Sequence, residues 1–299
     1  MLEQFIRSKR IDITWSLHLM LLAPVVLLLI FNYTPMIGLV VAFQNYLPTK
    51  GFFGSEWVGL KHIQFLFSLE DTWNVIRNTV VISLGKITAG LIVSVVFAVL
   101  LNEVMVKTLR KVIPIIVFFP YFLSWVILGS ILVDMLSLSG MINKVISFLG
   151  FEPVMFLGNN NTFVPVIILS SVWKDFGYNM VIFYAAIMNI NPSLYEAAAV
   201  DGAGRLRQTL NITLPGIAPM IAVVTLLSLG GVLDAGFDQI FNMYNPLVMS
   251  TGDILDTYIY RQGLISGQYA FATAAGLVKS LVGFVLIVLS FWAIDRYAN

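Results

Sequence analysis

The stretch NPSLYEAAAVDGAGRLRQTLNITLP, residues 191–215, lies between two long apolar runs. It is rich in alanine and glycine and carries Glu196, Asp201, Arg205 and Arg207 where a membrane protein ordinarily has only a short turn. Ser193 and Glu196 stand three apart ahead of an alanine run, the spacing of a capping box. Pro192 suits the first helical turn, where its missing N–H costs nothing. These features predict a short helix from Pro192 to about Val200. Gly202 and Gly204 then break it, since glycine takes positive φ at little cost. Residues 205–212 can form a second short helix, and Pro215 opens the next apolar run. Two short helices bent at glycine make a surface for a partner to grip, and small alanine side chains let that partner come close. The competing reading is an amphipathic hairpin lying on lipid, which would want large apolar side chains and several lysines.

Composition says what surrounds this insert. Hydrophobic residues make up 59% of the chain and charged residues only 11%. A soluble domain has about 25% charged residues, so this chain cannot cover a water-facing surface. It is an integral membrane protein. The net charge of +1 offers no footprint for nucleic acid. The absence of cysteine excludes a disulfide framework, thiolate metal sites and a cysteine nucleophile. His18 and His62 lie too far apart in sequence and expected depth to share a metal.

A membrane helix needs about 20 mostly apolar residues. Residues 15–43, 75–101, 112–135, 163–190, 214–235 and 270–294 meet that length. The first is too long for a cleaved signal peptide, and no small-residue cleavage site follows it. Basic residues in the connections set the orientation. With the N-terminus inside, Arg7, Lys9, Arg10, Lys107, Arg110, Lys111, Arg205, Arg207 and Arg296 face the cytoplasm. Lys50, Lys61, Arg77, Lys144 and Arg261 face outward over longer loops that hold most of the loop acids. Both termini and the 191–211 insert are therefore expected on the cytoplasmic side. The outer run GFDQIFNMYNPLVMSTGDILDTYIYRQGL, residues 236–264, alternates polar and aromatic residues more than an aromatic belt requires.

EAAAVDGA at residues 196–203, followed by ITLP at residues 212–215, closely resembles the cytoplasmic coupling loop of binding-protein-dependent ABC importer permeases, the MetI-like, type I class. YTPMIGLVVAFQNYLPTKGFFGSEWVGLKHI at residues 33–63 and the outer run just quoted resemble the LplB-like branch of the sugar permeases, which imports oligo- and polysaccharides. The resemblance covers nearly the whole chain. It implies an all-α type I permease fold in the bacterial plasma membrane, with six transmembrane helices and both termini cytoplasmic. Residues 1–73 would form an N-terminal segment with the first helix and an outer loop. Residues 74–299 would form the core permease domain, with a coupling loop at 191–212. It further implies that Glu196, Ala197, Ala198, Asp201, Gly202, Ala203, Leu214 and Pro215 serve coupling to a cytoplasmic ATPase, with Glu196 touching it and Gly202 as the bend. Two ATPase copies would hold ATP and Mg. A second homologous permease and an extracellular solute-binding lipoprotein complete the set. The chain itself lacks a P-loop: GSEWVGLK at residues 54–61 has its lysine one place late.

Charges within spans are costly and are functional suspects. Lys86, Lys174, Asp175 and Lys279 fall about nine to twelve residues from the outer ends of their spans, so at roughly 1.5 Å per residue they share one layer. A packing role is the simpler reading for Lys174 with Asp175; for Lys86 and Lys279 packing and transport weigh evenly. Three lysines against one aspartate leave spare positive charge, which points to a path that tolerates or prefers an acidic sugar. Tyr178, Asn179, Asp234, Asp238 and Gln239 are further candidates to line that path, with interhelical hydrogen bonding as the alternative. Two rival functions carry different signatures. An ion-coupled secondary transporter would show an internal repeat with matched broken helices. A membrane enzyme using Asp175 or Asp234 would need a complementary partner at the same depth. Import of another small solute by the same ABC mechanism remains an alternative to sugar.

Overall fold

The structure is a computed structural model that describes residue 15 and residues 17–298, with side chains through residue 293. In chain order the elements are α1 (Leu17–Phe43), β1 (Gln44–Asn45), α2 (Gly51–Gly54), β2 (Glu56–Trp57), α3 (Lys61–Ser68), α4 (Glu70–Glu103), α5 (Lys107–Phe118), α6 (Trp125–Leu136), α7 (Met141–Phe148), α8 (Asn160–Met188), α9 (Pro192–Val200), α10 (Arg205–Gln208), α11 (Leu214–Gly230), α12 (Phe237–Met243), α13 (Met249–Gly252), α14 (Leu255–Tyr260) and α15 (Tyr269–Ala298). Among the described residues, six stretches are long and apolar enough to cross a membrane: Leu17–Phe43, Glu70–Glu103, Trp125–Phe148, Asn160–Met188, Arg205–Gly230 and Tyr269–Ala293. Arg7, Lys9 and Arg10, part of the orientation argument, lie outside the described residues, as does the side chain of Arg296.

The chain divides into two compact units. The first comprises Met1–Leu66 and Gln262–Leu277. In it α1 passes through a π-helical turn at Leu29–Tyr33 into a 3-10 helix at Thr34–Phe43. The wide turn falls just before Pro35, whose ring would otherwise press on the carbonyl one turn back. Gln44 and Asn45 then pair antiparallel with Trp57 and Glu56, and the Phe43 and Trp57 rings stack 5.7 Å apart.

The second unit, Phe67–Arg261 with Val278–Asn299, is organised around α4 and α8. They run parallel and close: the Ser94 hydroxyl donates to Phe176 O at 3.0 Å, and a Cβ on Gly85 would strike Ile168. Two apolar clusters hold the unit. One gathers Ile82, Phe163, Ile167, Ile240, Val248 and Ile254 near the starts of α4 and α8. The other gathers Ala98, Leu101, Met180, Phe183, Ile187 and Ile217 near their ends. Between the clusters lies a polar layer that includes Lys86, Ser170, Ser171, Lys174 and Gln239. Leu, Ile, Val and Phe side chains meanwhile cover the outside of the spans. Polar groups inside and apolar groups outside are what a hydrocarbon solvent selects.

Two expected spans differ in form. The apolar run 112–135 is not one helix: α5 ends at Phe118, a 3-10 turn covers Phe119–Phe122, and α6 starts at Trp125. Pro120 interrupts the ladder, and the Ser124 side chain accepts from Ile127 N–H to cap the restart. The membrane-length stretch is instead Trp125–Phe148, α6 and α7 joined through a turn. The fifth stretch begins earlier than expected, at Arg205. α10 runs through a π-helical turn at Thr209–Thr213 straight into α11, so residues 205–212 are not a separate short helix. Here too the wide turn precedes a proline, Pro215.

Candidate functional site: a glycine-capped hairpin and a buried polar pocket

α9 and α10 form the hairpin that the 191–215 stretch foretold, at the end of the molecule where α4 and α8 finish. The N-cap of α9 is Asn191, whose side chain accepts from Ser193 N–H at 3.1 Å. The expected Ser193–Glu196 capping box is therefore absent, because Pro192 is already the first helical residue and Ser193 lies inside the helix. At the other end Gly202 has φ +74°. Its N–H donates to Ala199 O at 3.1 Å, and Ala203 N–H donates to Ala198 O at 2.8 Å. That pair of bonds is a Schellman motif, which requires a left-handed residue at the Gly202 position. Gly204, by contrast, has φ −68° and ψ 167°, so the expectation of positive φ there does not hold.

The hairpin is braced from below. The Tyr195 hydroxyl and Thr213 Oγ1 are 2.9 Å apart, and Thr213 is buried. A Cβ on Gly216 would meet Ile190, so the start of α11 lies tight against the lead-in to α9. Gln208 Nε2 donates to Ala203 O at 2.9 Å. Arg205 reaches Glu103 at the end of α4, at 3.4 Å between exposed side chains. Glu196, Ala197, Asp201, Gly202 and Pro215 are exposed, while Ala198, Ala203 and Leu214 are half-buried. A cavity of about 290 Å³ between the two arms is bounded by Ala198, Asp201, Ala203, Arg207, Gln208, Asn211 and Ile212. Val200 and Leu206 project into open space, apolar side chains without a neighbour to cover them.

The second feature is a cavity of about 170 Å³ in the polar layer, walled by α4, α8 and α11. Lys86, Ile87, Gly90 and Leu91 come from α4; Ser171, Val172, Asp175, Phe176 and Asn179 from α8; Val224 and Ser228 from α11. Ser171, Asp175 and Asn179 follow one another at the four-residue spacing that puts them on one helix face. The Ser171 hydroxyl donates to Asp175 Oδ2 at 3.2 Å. Lys86 Nζ donates to Ala235 O at 2.6 Å and to Gln239 Oε1. Gln239 is held in turn by bonds from its Nε2 to Ile167 O and Ser170 Oγ.

The structure thus brings Lys86, Asp175 and Asn179 to one cavity and sets the other candidates elsewhere. Lys174 is buried, donates to Tyr121 O at 2.8 Å, lies 3.6 Å from Asp175 Oδ1 and sits over the Tyr121 and Trp125 rings. Tyr178 stacks on Tyr121 at 5.1 Å and on Phe118 at 6.1 Å. Gln239 supports Lys86 from behind; Asp234 is exposed in the turn leading into α12 and Asp238 is exposed in its first helical turn. Lys279 pairs with Asp256 of α14. That pair corrects the charge count of the layer: a second carboxylate joins it, one that the sequence places in the segment between α11 and α15. Ser171 and Ser228, which sequence reasoning did not single out, belong to the cavity; the four-residue step from Ser171 to Asp175 was the available signal for the first.

Residues 236–261 fold into a cap at the opposite end from the hairpin. Asn78 Nδ2 donates to Ser250 O and Asp253 O, and Leu255 N–H donates to Thr79 Oγ1. Asp253, buried, accepts two bonds from Arg261 at 3.0 and 2.6 Å and a third from Thr257. These bonds to Asp253 raise the Arg261 guanidinium above its ordinary pKa, and burial raises the Tyr258 phenol above its own.

Within the second unit, two parallel spans, a braced loop at one end, a folded cap at the other and a polar cavity between them have the layout of a polytopic transport protein. Residues 90–298 match the family model described as the binding-protein-dependent transport system inner membrane component. The chain is 40% identical over 275 residues to the polygalacturonan/rhamnogalacturonan transport system permease protein YteP of Bacillus subtilis, covering 92% of this chain and 86% of that one. It is 39% identical over 272 residues to Protein LplB of the same organism, covering 91% and 86%. A crystal structure of a bacterial ABC transporter involved in the import of the acidic polysaccharide alginate contains a chain that superposes with a TM-score of 0.88 at 39% identity, covering 97% of this chain and 99% of that one. The chain belongs to the binding-protein-dependent transport system inner membrane component family. It is a multi-pass transport component of the bacterial inner membrane, with the type I permease fold.

Proposed function

We propose that this chain is a permease subunit of an ATP-driven importer of oligo- or polysaccharides. The observation that carries the reading is its likeness, over 97% of its length, to a chain of a polysaccharide importer, together with the relatedness to YteP. The chain moves solute and a separate cytoplasmic ATPase hydrolyses ATP with Mg. A solute-binding lipoprotein delivers the sugar from outside, and a second, related permease completes the path.

The hairpin is the handle for the ATPase. Glu196, Ala197, Asp201 and Gly202 present its exposed rim, Ala198 and Ala203 its inner surface, and Leu214 and Pro215 its root in α11. Lys107, Arg110 and Lys111 follow the end of α4, beside the hairpin's Arg205 and Arg207, so this end is the cytoplasmic one. The cap at the opposite end then faces the binding protein. Lys86, Asp175 and Asn179 line the sugar path at the cavity, with Ser171 and Ser228. Serine, asparagine and carboxylate side chains offer the donors and acceptors that sugar hydroxyls require.

The test is a mild-detergent purification from the native host, with every co-purifying chain identified by mass spectrometry. A P-loop ATPase and a second permease, both lost when Glu196 and Gly202 are replaced, are the expected result. A chain that purifies alone and moves solute on an ion gradient would overturn the reading.

A further inference from the structure

Resting on that reading, we propose that Lys86 gives the cavity a preference for acidic sugars, by offering an N–H to a carboxylate of the passing substrate. Of the three lysines in the polar layer, two already have a counter-charge. Lys174 is matched by Asp175. Lys279 is matched by Asp256. Lys86 forms no ion pair among the described residues and leans on two neutral acceptors, Ala235 O and Gln239 Oε1. The amide of Gln239 is locked by Ile167 O and Ser170 Oγ, which fixes its oxygen toward the lysine.

An ammonium has three donors and no acceptor. Two are taken, and the third belongs to a side chain that lines the cavity with Ser171, Asp175, Asn179 and Ser228. Asp175 does not cancel it, because that carboxylate is engaged by Lys174 and Ser171. Lys86 and Asp175 are the charged side chains of the lining; with Asp175 drawn to Lys174, Lys86 is the ammonium there that no carboxylate touches. An ammonium with no carboxylate in contact gains a charge-assisted hydrogen bond from a substrate carboxylate, where a hydroxymethyl group offers only a weaker neutral acceptor. Asn179 and the two serines can receive hydroxyls of either sugar, so the discrimination falls on Lys86.

The experiment uses the complete importer in proteoliposomes and two probes: a uronate trisaccharide, and the same trisaccharide with its carboxylates reduced to hydroxymethyl groups. The ratio of their uptake rates is read for each variant relative to the unmodified importer, so the preference of the binding protein cancels. Lys86→Met is expected to lower the acidic-to-neutral ratio by about ten- to a hundredfold. Lys86→Arg keeps the ratio within a fewfold, and Lys279→Met leaves it unchanged whatever it does to the rates. Equal loss of both sugars in Lys86→Met would mean a bracing role only and would overturn the proposal, as would a matching shift in Lys279→Met. If Lys86→Met fails to assemble, Lys86→Gln, which keeps a donor for Ala235 O, is read in the same way. An unmodified importer that takes up neither trisaccharide but moves a different solute would refute the saccharide reading itself, a separate outcome.

Discussion

Gly202 is the residue on which the hairpin's shape depends, and its replacement separates backbone geometry from side-chain contact. Its φ of +74° lies in the left-handed region, where an L-residue pays about 1–2 kcal/mol. A Cβ there would meet nothing within 4 Å, so no clash adds to that cost within the chain. Alanine should therefore reduce the population of the intact turn by about five- to thirtyfold, and valine by more, since β-branched residues fit the region worst. Asparagine enters it more readily than other non-glycine residues and should fall between glycine and alanine. Gly204 is the internal control. Its φ of −68° and ψ of 167° suit any residue, and its Cβ direction is open, so Gly204→Ala should change the hairpin's stability by less than about 0.5 kcal/mol. The assay is sugar uptake and sugar-stimulated ATP hydrolysis in proteoliposomes, with ATPase retention on the purified permease as a second reading. The expected order is glycine, asparagine, alanine, valine at position 202. Alanine performing as well as glycine, or asparagine as badly as valine, would refute the argument that the left-handed turn sets coupling.

Three further outcomes follow from the packing. Gly177→Ala would place a Cβ 2.3 Å from Val117 O and 3.0 Å from Phe118 Cα, backbone atoms that cannot swing aside. α5 and α8 must then separate, at about 1–3 kcal/mol, seen as a lower melting temperature in detergent. Asp253→Asn leaves the Arg261 guanidinium without its buried counter-charge and should cost about 3 kcal/mol, read as faster proteolysis of the 236–261 cap. Burial raises the Tyr258 phenol above its unfolded value of 10.0, so the folded cap favours the protonated form. That contribution is fully present below about pH 10 and is lost as pH rises through the folded value, so melting temperature against pH should fall more steeply above pH 10 in the unmodified protein than in Tyr258→Phe. A difference between the two that persists unchanged from pH 6 to 11 would show that the phenol's titration plays no part.

The readable parts of this chain are those where a residue type has a narrow physical meaning. Apolar runs of membrane length announced the spans, because a bilayer leaves the backbone no alternative to helix. Pro192, the alanine run and Gly202 marked the arms of the hairpin, because proline fixes a helix start and glycine alone takes the left-handed stop cheaply. Ser193 misled because two adjacent residues, Asn191 and Ser193, can both cap a helix, and only the placement of Pro192 inside it decides between them. Residues 112–135 misled because hydropathy does not register Pro120 as a break. The pairings in the polar layer were beyond reach for another reason. Asp256 meets Lys279 across 23 residues and Lys86 meets Gln239 across 153, and such partners are settled by how helices pack rather than by local pattern. The lysines could be recognised as unusual, but which of them lacked a counter-charge depended on the fold.

On the proposed coupling role, the geometry gives one short loop a route to a cavity far from it. α8 and α11 supply two of the three cavity walls, and both are rooted in the hairpin: α8 leads into it and α10 leads out of it into α11. From Asn179 to Pro192, and from Thr213 to Ser228, the distance along each helix is about 20 Å at 1.5 Å per residue. Neither path contains a glycine with positive φ. α8 has no proline between Asn179 and its end, and the prolines of α11 sit near its start. The Tyr195–Thr213 bond ties the two roots together. A force on the hairpin would therefore reach the Asp175–Asn179 wall and the Ser228 wall directly along the chain, whereas α4, which carries Lys86, would receive it laterally, through its packing on α8 and α11 and through the exposed Arg205–Glu103 pair, a weak link. The directly driven walls would carry Asp175 with the hydroxyl-binding Ser171, Asn179 and Ser228, and the α4 wall the cation. On this geometry the cavity would change width chiefly across the Lys86–Asp175 gap, and strengthening the Arg205–Glu103 link, by a short thiol-reactive crosslinker between cysteines placed at the two positions, should slow transport more than it slows ATP hydrolysis. Unchanged transport in the crosslinked form would show that α4 travels with the other two walls.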